Sequence, residues 1–194
     1  PDANRIGDVG DGWRVSLTTL MNERNAIGTG SGGGVPKAGS GPISVLTKIW
    51  ESTPADQRDA VTRDALMQLW VRADVMRLTN IRAGQKRRAG NPGPEMSIAK
   101  LAFAELNKDL MSKAVDMMGM AGQVGFDYTF RRPEDLSVDG SESGVQHGFL
   151  RVRANSIEGG TSEIMRNILG EQVLGLPGEP RVDKDVPWIE VPRN

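Results

Sequence analysis

The stretch ANSIEGGTSEIMRNILGEQVLGLP, Ala154 to Pro177, places Glu158, the pair Gly159-Gly160, Thr161 and Glu163 together where a helix begins. The glycines permit a tight turn and close backbone approach. Thr161 or Ser162 can cap the helix, and Glu163 suits its first turn. Backbone N–H groups at such an entrance have no partner within the helix and could receive an oxyanion or a phosphate. A plain helix cap explains the same residues. A second constellation lies near the other end of the chain. With a helix advancing about 100° per residue, Arg24 falls about 20° from Trp13, inside an apolar stripe, and Glu23 about 80° away at its edge. A buried arginine is costly unless paired. Arg24 therefore snorkels or pairs with a core carboxylate while Glu23 is solvated, or Glu23 stands at the lip of a cavity.

Other candidates are weaker. The run MMGMAG, Met117 to Gly122, is ordinary core filling taken alone. His147 follows an acidic, glycine-rich stretch and reads as exposed and structural. Ser156 and Ser162 lack the G-x-S-x-G elbow, so a hydrolase has no support. With one histidine and no cysteine, a multi-histidine metal site and thiolate chemistry are excluded.

Positioning these residues takes helices. A polar lead-in covers residues 1–11. The first helix runs from about Gly12 to Gly28, with Trp13, Leu17, Leu20, Met21 and Ile27 on one face. GTGSGGGVPKAGSG, Gly28 to Gly41, is too glycine-dense for a helix and reads as a long surface loop. No strand precedes it and no G-x-G-x-x-G or Walker spacing occurs, so a phosphate cradle is disfavoured. A short helix spans Pro42 to Trp50. The next is expected over Pro54 to Ala89, capped by Ser52 or Thr53, with Leu66, Leu69, Trp70, Ala73 and Met76 inward. GNPGPE breaks it. A third long helix covers Pro94 to Gly119, its stripe formed by Ile98, Leu101, Ala102, Leu106, Leu110, Ala114, Val115 and Met118. Two shorter helices cover Gly148 to Ile157 and Ser162 to Gly175, and a proline-rich tail over 177–194 reads as extended chain. No β-alternation of useful length occurs. The predicted fold is all-α, an up-and-down four-helix bundle over 12–176 with a glycine-rich loop and an extended C-terminal tail.

The bulk numbers narrow the function. Of 194 residues, 38% are hydrophobic, enough for one core. Lys+Arg 24 against Asp+Glu 25 leaves a net charge of −1, giving no basic face for nucleic acid or an anionic membrane. No apolar run approaches the roughly 20 residues of a membrane span. Absent cysteine permits a reducing compartment, and a cytoplasmic location is expected. The start at Pro1-Asp2 points to a fragment of a longer polypeptide.

GDGWRVSLTTLMNERNAIG, Gly10 to Gly28, and IEGGTSEIMRNILGEQVLGLP, Ile157 to Pro177, resemble the C-terminal part of the acyl-CoA dehydrogenase family. The run G-T-S-E-I-x-R-N is specific. The resemblance spans nearly the whole chain, most weakly over Gly28 to Ala55. It implies that an N-terminal helical domain and a β-domain precede this bundle, with Pro1 to Gly10 resembling the exit from the β-domain. It further implies FAD-dependent α,β-dehydrogenation of an acyl-CoA thioester. A carboxylate removes the α-proton, a β-hydride passes to the flavin, and electrons leave to an electron-transfer flavoprotein or similar acceptor. The bundle alone would be inactive.

In much of the family the base directly precedes G-T-S; here that position is Gly159. A subset resembling isovaleryl- and long-chain enzymes carries the base on the first bundle helix, where Glu23 matches. The resemblance thus assigns Glu23 as base, with Glu158 as rival, Arg24 ordering the site or the substrate, and the Gly159 N–H donating to the thioester carbonyl. Gly160, Thr161 and Glu163 match the segment that touches the cofactor. Gly119 and Gly122 align with a glycine motif that meets the flavin's adenosine part across a subunit interface, though Met120 separates them. The family's R-x-x-F-G segment is absent, with the glycine-rich loop in its place. Met21, Ala26 and Ile27 are candidates to line an acyl pocket. Homo- or hetero-oligomers are common in the family. Two other readings stand beside catalysis: a non-catalytic assembly subunit of a hetero-oligomer, which the missing segment favours, and a plain helical binding module.

Overall fold

The computed structural model describes residues 2–29, 37–90, 93–125, 144–183 and 186–192, without the side chains of Met21, residues 24–29 and Trp188. Most of the glycine-rich loop, most of the acidic stretch before His147, and the side chains of Arg24, Met21, Ala26 and Ile27 therefore lie outside the described residues. Among those residues every regular element is helical.

α1 spans Gly12–Thr29 and α2 Ile43–Ser52. α3 spans Ala60–Arg88 and α4 Glu95–Met118. α5 covers Val145–Arg151 and α6 Ser162–Ile168. α4 is the central element: α1, α2, α3, α5 and α6 all pack against it. The main core joins Ile43 and Leu46 of α2, Leu66 and Leu69 of α3, and Leu106, Leu110 and Ala114 of α4. Trp70, Ala73 and Met76 border it, so the inward face expected for α3 is the face that packs.

Several expectations need correction. α3 begins at Ala60, not Pro54, because Asp59 is its cap and accepts from the Thr62 N–H at 2.8 Å. Thr53 instead ends α2, its hydroxyl donating back to the Ile49 carbonyl at 2.8 Å, and Pro54 leads a single 3-10 turn over Ala55–Gln57. The buried stripe of α4 is rotated from the one read in the sequence. Ala99, Lys100, Ala104, Leu106, Asn107, Leu110, Met111 and Ala114 are buried, whereas Ile98 is 41% exposed. A lysine and an asparagine on the buried face hid that face from a hydrophobicity pattern. The helix expected from Gly148 starts at Val145 and tightens into a 3-10 turn over Val152–Ser156. The last helix loosens after Ile168 into a π turn over Leu169–Val173. On α1 the described residues of the apolar stripe are not buried: Trp13, Leu17 and Leu20 are 76%, 42% and 50% exposed.

Two ion pairs fasten the turn end of the α3–α4 hairpin. Arg82 and Lys86 reach Glu95 at 3.0 and 2.7 Å. Glu95 is buried, and its pKa lies below the usual carboxylate value of 4.5, chiefly through the Lys86 hydrogen bond. This hairpin fixes the start of α4, the end that carries Lys100.

Candidate functional site

The candidate site forms where α1 and α4 meet the turn between the 3-10 segment and α6. The turn begins as the N–H groups of Ile157 and Glu158 both donate to the Ala154 carbonyl, at 2.8 and 2.9 Å. Gly159 and Gly160 then adopt φ of 64° and 102°. L side chains rarely occupy that region, which explains the glycine pair. Thr161 follows in extended geometry as the cap of α6, its hydroxyl accepting from the Ile164 N–H at 3.2 Å.

Gly159 is buried, so its N–H requires a partner. The partner is Glu23: the Gly159 N–H donates to Glu23 Oε1 at 3.1 Å. The carboxylate read from α1 and the glycine turn read near the C-terminus, 136 residues apart, thus form one site. Glu23 itself is exposed, on the open side of the contact.

Glu158 is engaged elsewhere. Arg151 donates to both its carboxylate oxygens, at 3.2 and 3.0 Å, and Asn155 Nδ2 donates to Oε1 at 2.6 Å. A carboxylate so held has less freedom to approach a substrate.

Beneath the turn lies a polar cluster that the sequence reading missed. Lys100 is fully buried. Its ammonium donates to the Asn155 carbonyl at 3.0 Å and to the Gly160 carbonyl. Removing a lysine head group from water costs several kcal/mol, which charge pairing and good hydrogen bonds must offset. Asn155, also fully buried, receives Asn107 Nδ2 on its side-chain oxygen at 3.3 Å. Lys100, Ala104, Asn107, Met111 and Ala114 share one buried stripe; helical spacing applied to polar as well as apolar residues would have found Lys100 and Asn107. On the α6 side, buried Ser162 donates to Glu105 Oε1 at 2.8 Å. Lys108, and secondarily Ser162, hold the Glu105 pKa below its usual value.

The remaining candidates scatter. Glu163 is exposed and pairs with Arg166 at 3.5 Å. Gly119 ends α4 with φ of 57°, and Gly122 is buried one turn later. A Cβ on Gly122 would come within 2.5 Å of the Val115 carbonyl oxygen, so close packing alone requires that glycine. Both glycines sit at the end of α4 opposite Lys100, about 28 Å along its axis at 1.5 Å per residue. They form a patch separate from the Glu23–Gly159 site. His147 is exposed, as read. No group of three or more metal-ligating side chains occurs among the described residues, and no helix among them is long and apolar enough to cross a membrane.

Chemically, the site pairs an exposed carboxylate with the N–H of a buried glycine. A carbonyl accepting from Gly159 would displace Glu23 from that N–H yet leave it beside the incoming group.

Comparison with known proteins agrees with this architecture. The chain is 31% identical over 176 residues to acyl-CoA dehydrogenase IpdE1 of Mycobacterium tuberculosis strain H37Rv, covering 91% of this chain and 41% of that protein. It therefore spans about two fifths of that relative's length. Its fold is similar to that of the ChsE4–ChsE5 complex from Mycobacterium tuberculosis, with TM-score 0.64, 22% identity, and coverage of 93% of this chain and 44% of that one. It is similar too to a structure described as the FAD complex of PigA, with TM-score 0.64, 19% identity, and coverage of 92% and 42%. A family model described as acyl-CoA dehydrogenase, C-terminal domain, matches residues 10–174, and the chain belongs to that family.

Proposed function

We propose that this chain is the C-terminal bundle of a flavin-dependent acyl-CoA dehydrogenase, with Glu23 as the base that removes the α-proton of an acyl-CoA thioester. The observation that carries the reading is the 3.1 Å bond from the Gly159 N–H to Glu23 Oε1. It puts a carboxylate and an oxyanion donor side by side, where proton removal from carbon next to a thioester carbonyl needs both. The thioester carbonyl takes the Gly159 N–H, and Glu23, displaced from it, faces the α-carbon. Glu158 is the weaker candidate because Arg151 and Asn155 already hold it. Arg24 follows Glu23 directly on α1 and orders the substrate or the site.

The turn fits one edge of a flavin. Gly160 is half-buried beside the buried Gly159, and the Thr161 hydroxyl, which accepts from Ile164, keeps its own proton to donate. A bound FAD would supply the hydride acceptor, as the FAD complex among the structural neighbours makes reasonable. Gly119 and Gly122 would serve a different part of the cofactor, from a neighbouring subunit. Reoxidation would use an electron-transfer flavoprotein or similar acceptor. The bundle alone is inactive in this reading, because the chain spans 41% of the IpdE1 length and the rest of the pocket lies elsewhere.

The test is an absorbance spectrum and an acyl-CoA-dependent dye-reduction assay on the complete polypeptide. Bound oxidised flavin and turnover that falls by about 10²–10⁴ in Glu23→Gln support the proposal. Full activity in that variant moves the base to Glu158 or elsewhere.

A second reading, a non-catalytic assembly subunit, is favoured by the apolar residues left uncovered on α1 and α3. Trp13, Val71 and Val75 are 76%, 54% and 57% exposed. The hetero-complex of ChsE4 with ChsE5 is a precedent among the fold neighbours. Co-purification with a second family member, and less than one flavin per chain, would favour it.

A further inference from the structure

We infer that Lys100 is the positioning residue that holds the Gly159 N–H in its donating orientation, an inference that rests on the proposed dehydrogenase reading. The turn is built on two consecutive glycines at positive φ, residues with the widest conformational range. Left to itself, such a turn samples many orientations of the Gly159 peptide. Lys100 bonds the carbonyls of Asn155 and Gly160, which flank the Glu158–Gly159 link on both sides. The two ends of the turn are thereby tied to one rigid point on α4. Arg151 and Asn155 restrain Glu158, the residue in between. Asn107 restrains Asn155 in turn.

The position itself argues for this role. Lys100 is fully buried, on a stripe shared with Ala104, Asn107, Met111 and Ala114. A leucine or methionine would fill that space without desolvating a charge. What the ammonium adds is several donors in one place, able to satisfy carbonyls that converge from different parts of the chain. An oxyanion donor acts only if it is held where the charge develops, so a loose turn reduces turnover without abolishing substrate binding.

The test compares Lys100→Met with the parent in the complete, flavin-loaded polypeptide. Three quantities are read: kcat with KM, the melting temperature, and amide hydrogen exchange in the peptide covering 155–161. The expected result is a fall in kcat of about 10–100-fold with little change in KM. Exchange over 157–160 should speed up by about tenfold or more, while the α3–α4 hairpin stays protected. A folded variant with unchanged kcat, or with unchanged exchange at the turn, overturns the inference. If the parent itself shows no acyl-CoA turnover, the dehydrogenase reading fails, and the exchange comparison still decides whether Lys100 clamps the turn. Should Lys100→Met not fold, nitrogen NMR of the parent decides. A slowly exchanging Lys100 ammonium signal coupled to the Asn155 and Gly160 carbonyl carbons supports the clamp, and absence of that coupling overturns it.

Discussion

Arg151 holds both carboxylate oxygens of Glu158, with Nη2 to Oε2 at 3.0 Å and Nη1 to Oε1 at 3.2 Å. Two carboxylates thus stand near the Gly159 turn in opposite circumstances. One is clamped by a guanidinium and an amide; the other is exposed and bonded only to the backbone of the turn among the described residues.

That difference separates the two candidate bases. Glu158→Gln should lower stability by about 0.5–2 kcal/mol, because a half-buried Arg151 loses its ionic partner. It should reduce turnover by less than about tenfold, far below the loss expected for Glu23→Gln. Parallel melts and dye-reduction assays check this. A larger catalytic loss in Glu158→Gln would reverse the assignment.

Gly122→Ala should destabilise the bundle by about 1–3 kcal/mol, since its Cβ would lie 2.5 Å from the Val115 carbonyl oxygen and 3.2 Å from the Met118 Cβ. For a chain of this size the melting temperature then falls by about 2–4 °C per kcal/mol. Gly125→Ala is the control, because nothing lies within 4 Å of its would-be Cβ. Equal melting temperatures for the two variants would show that the end of α4 can yield.

Thr161→Ala removes the acceptor for the Ile164 N–H and should cost about 0.5–2 kcal/mol. Thr161→Ser keeps a hydroxyl at the cap and should recover most of that loss. Urea titration of the three proteins is the measurement. If serine fails to rescue, the cap is not what Thr161 contributes.

The α3–α4 hairpin should weaken in acid. The Glu95 pKa is held below 4.5, first by the Lys86 hydrogen bond. A carboxyl depressed in the folded state contributes stability above its unfolded pKa and loses it as pH falls through the folded one. Melting temperatures of the parent should therefore drop below about pH 4.5. Glu95→Gln should melt lower at pH 7 and approach the parent in acid. Parallel curves from pH 7 to pH 3 would remove Glu95 from the account.

Sequence alone settled the helical class, the approximate extent of α1 and α4, the end and inward face of α3, and the identity of the residues worth watching. Those features follow from local spacing and turn chemistry, which a linear chain displays directly. Glu23 and Gly159 were each legible, the first as a carboxylate at the edge of a stripe, the second as a glycine where the family resemblance puts a base. Their contact was not derivable from spacing, because it joins elements 136 residues apart through the packing of α1 and the turn around α4. Only the tertiary structure decided that Glu158 turns to Arg151, that Trp13, Leu17 and Leu20 stay exposed, and that Lys100 lies in the core. Each depends on which groups meet across the fold: a lysine reads as a surface residue until converging carbonyls make its burial tolerable.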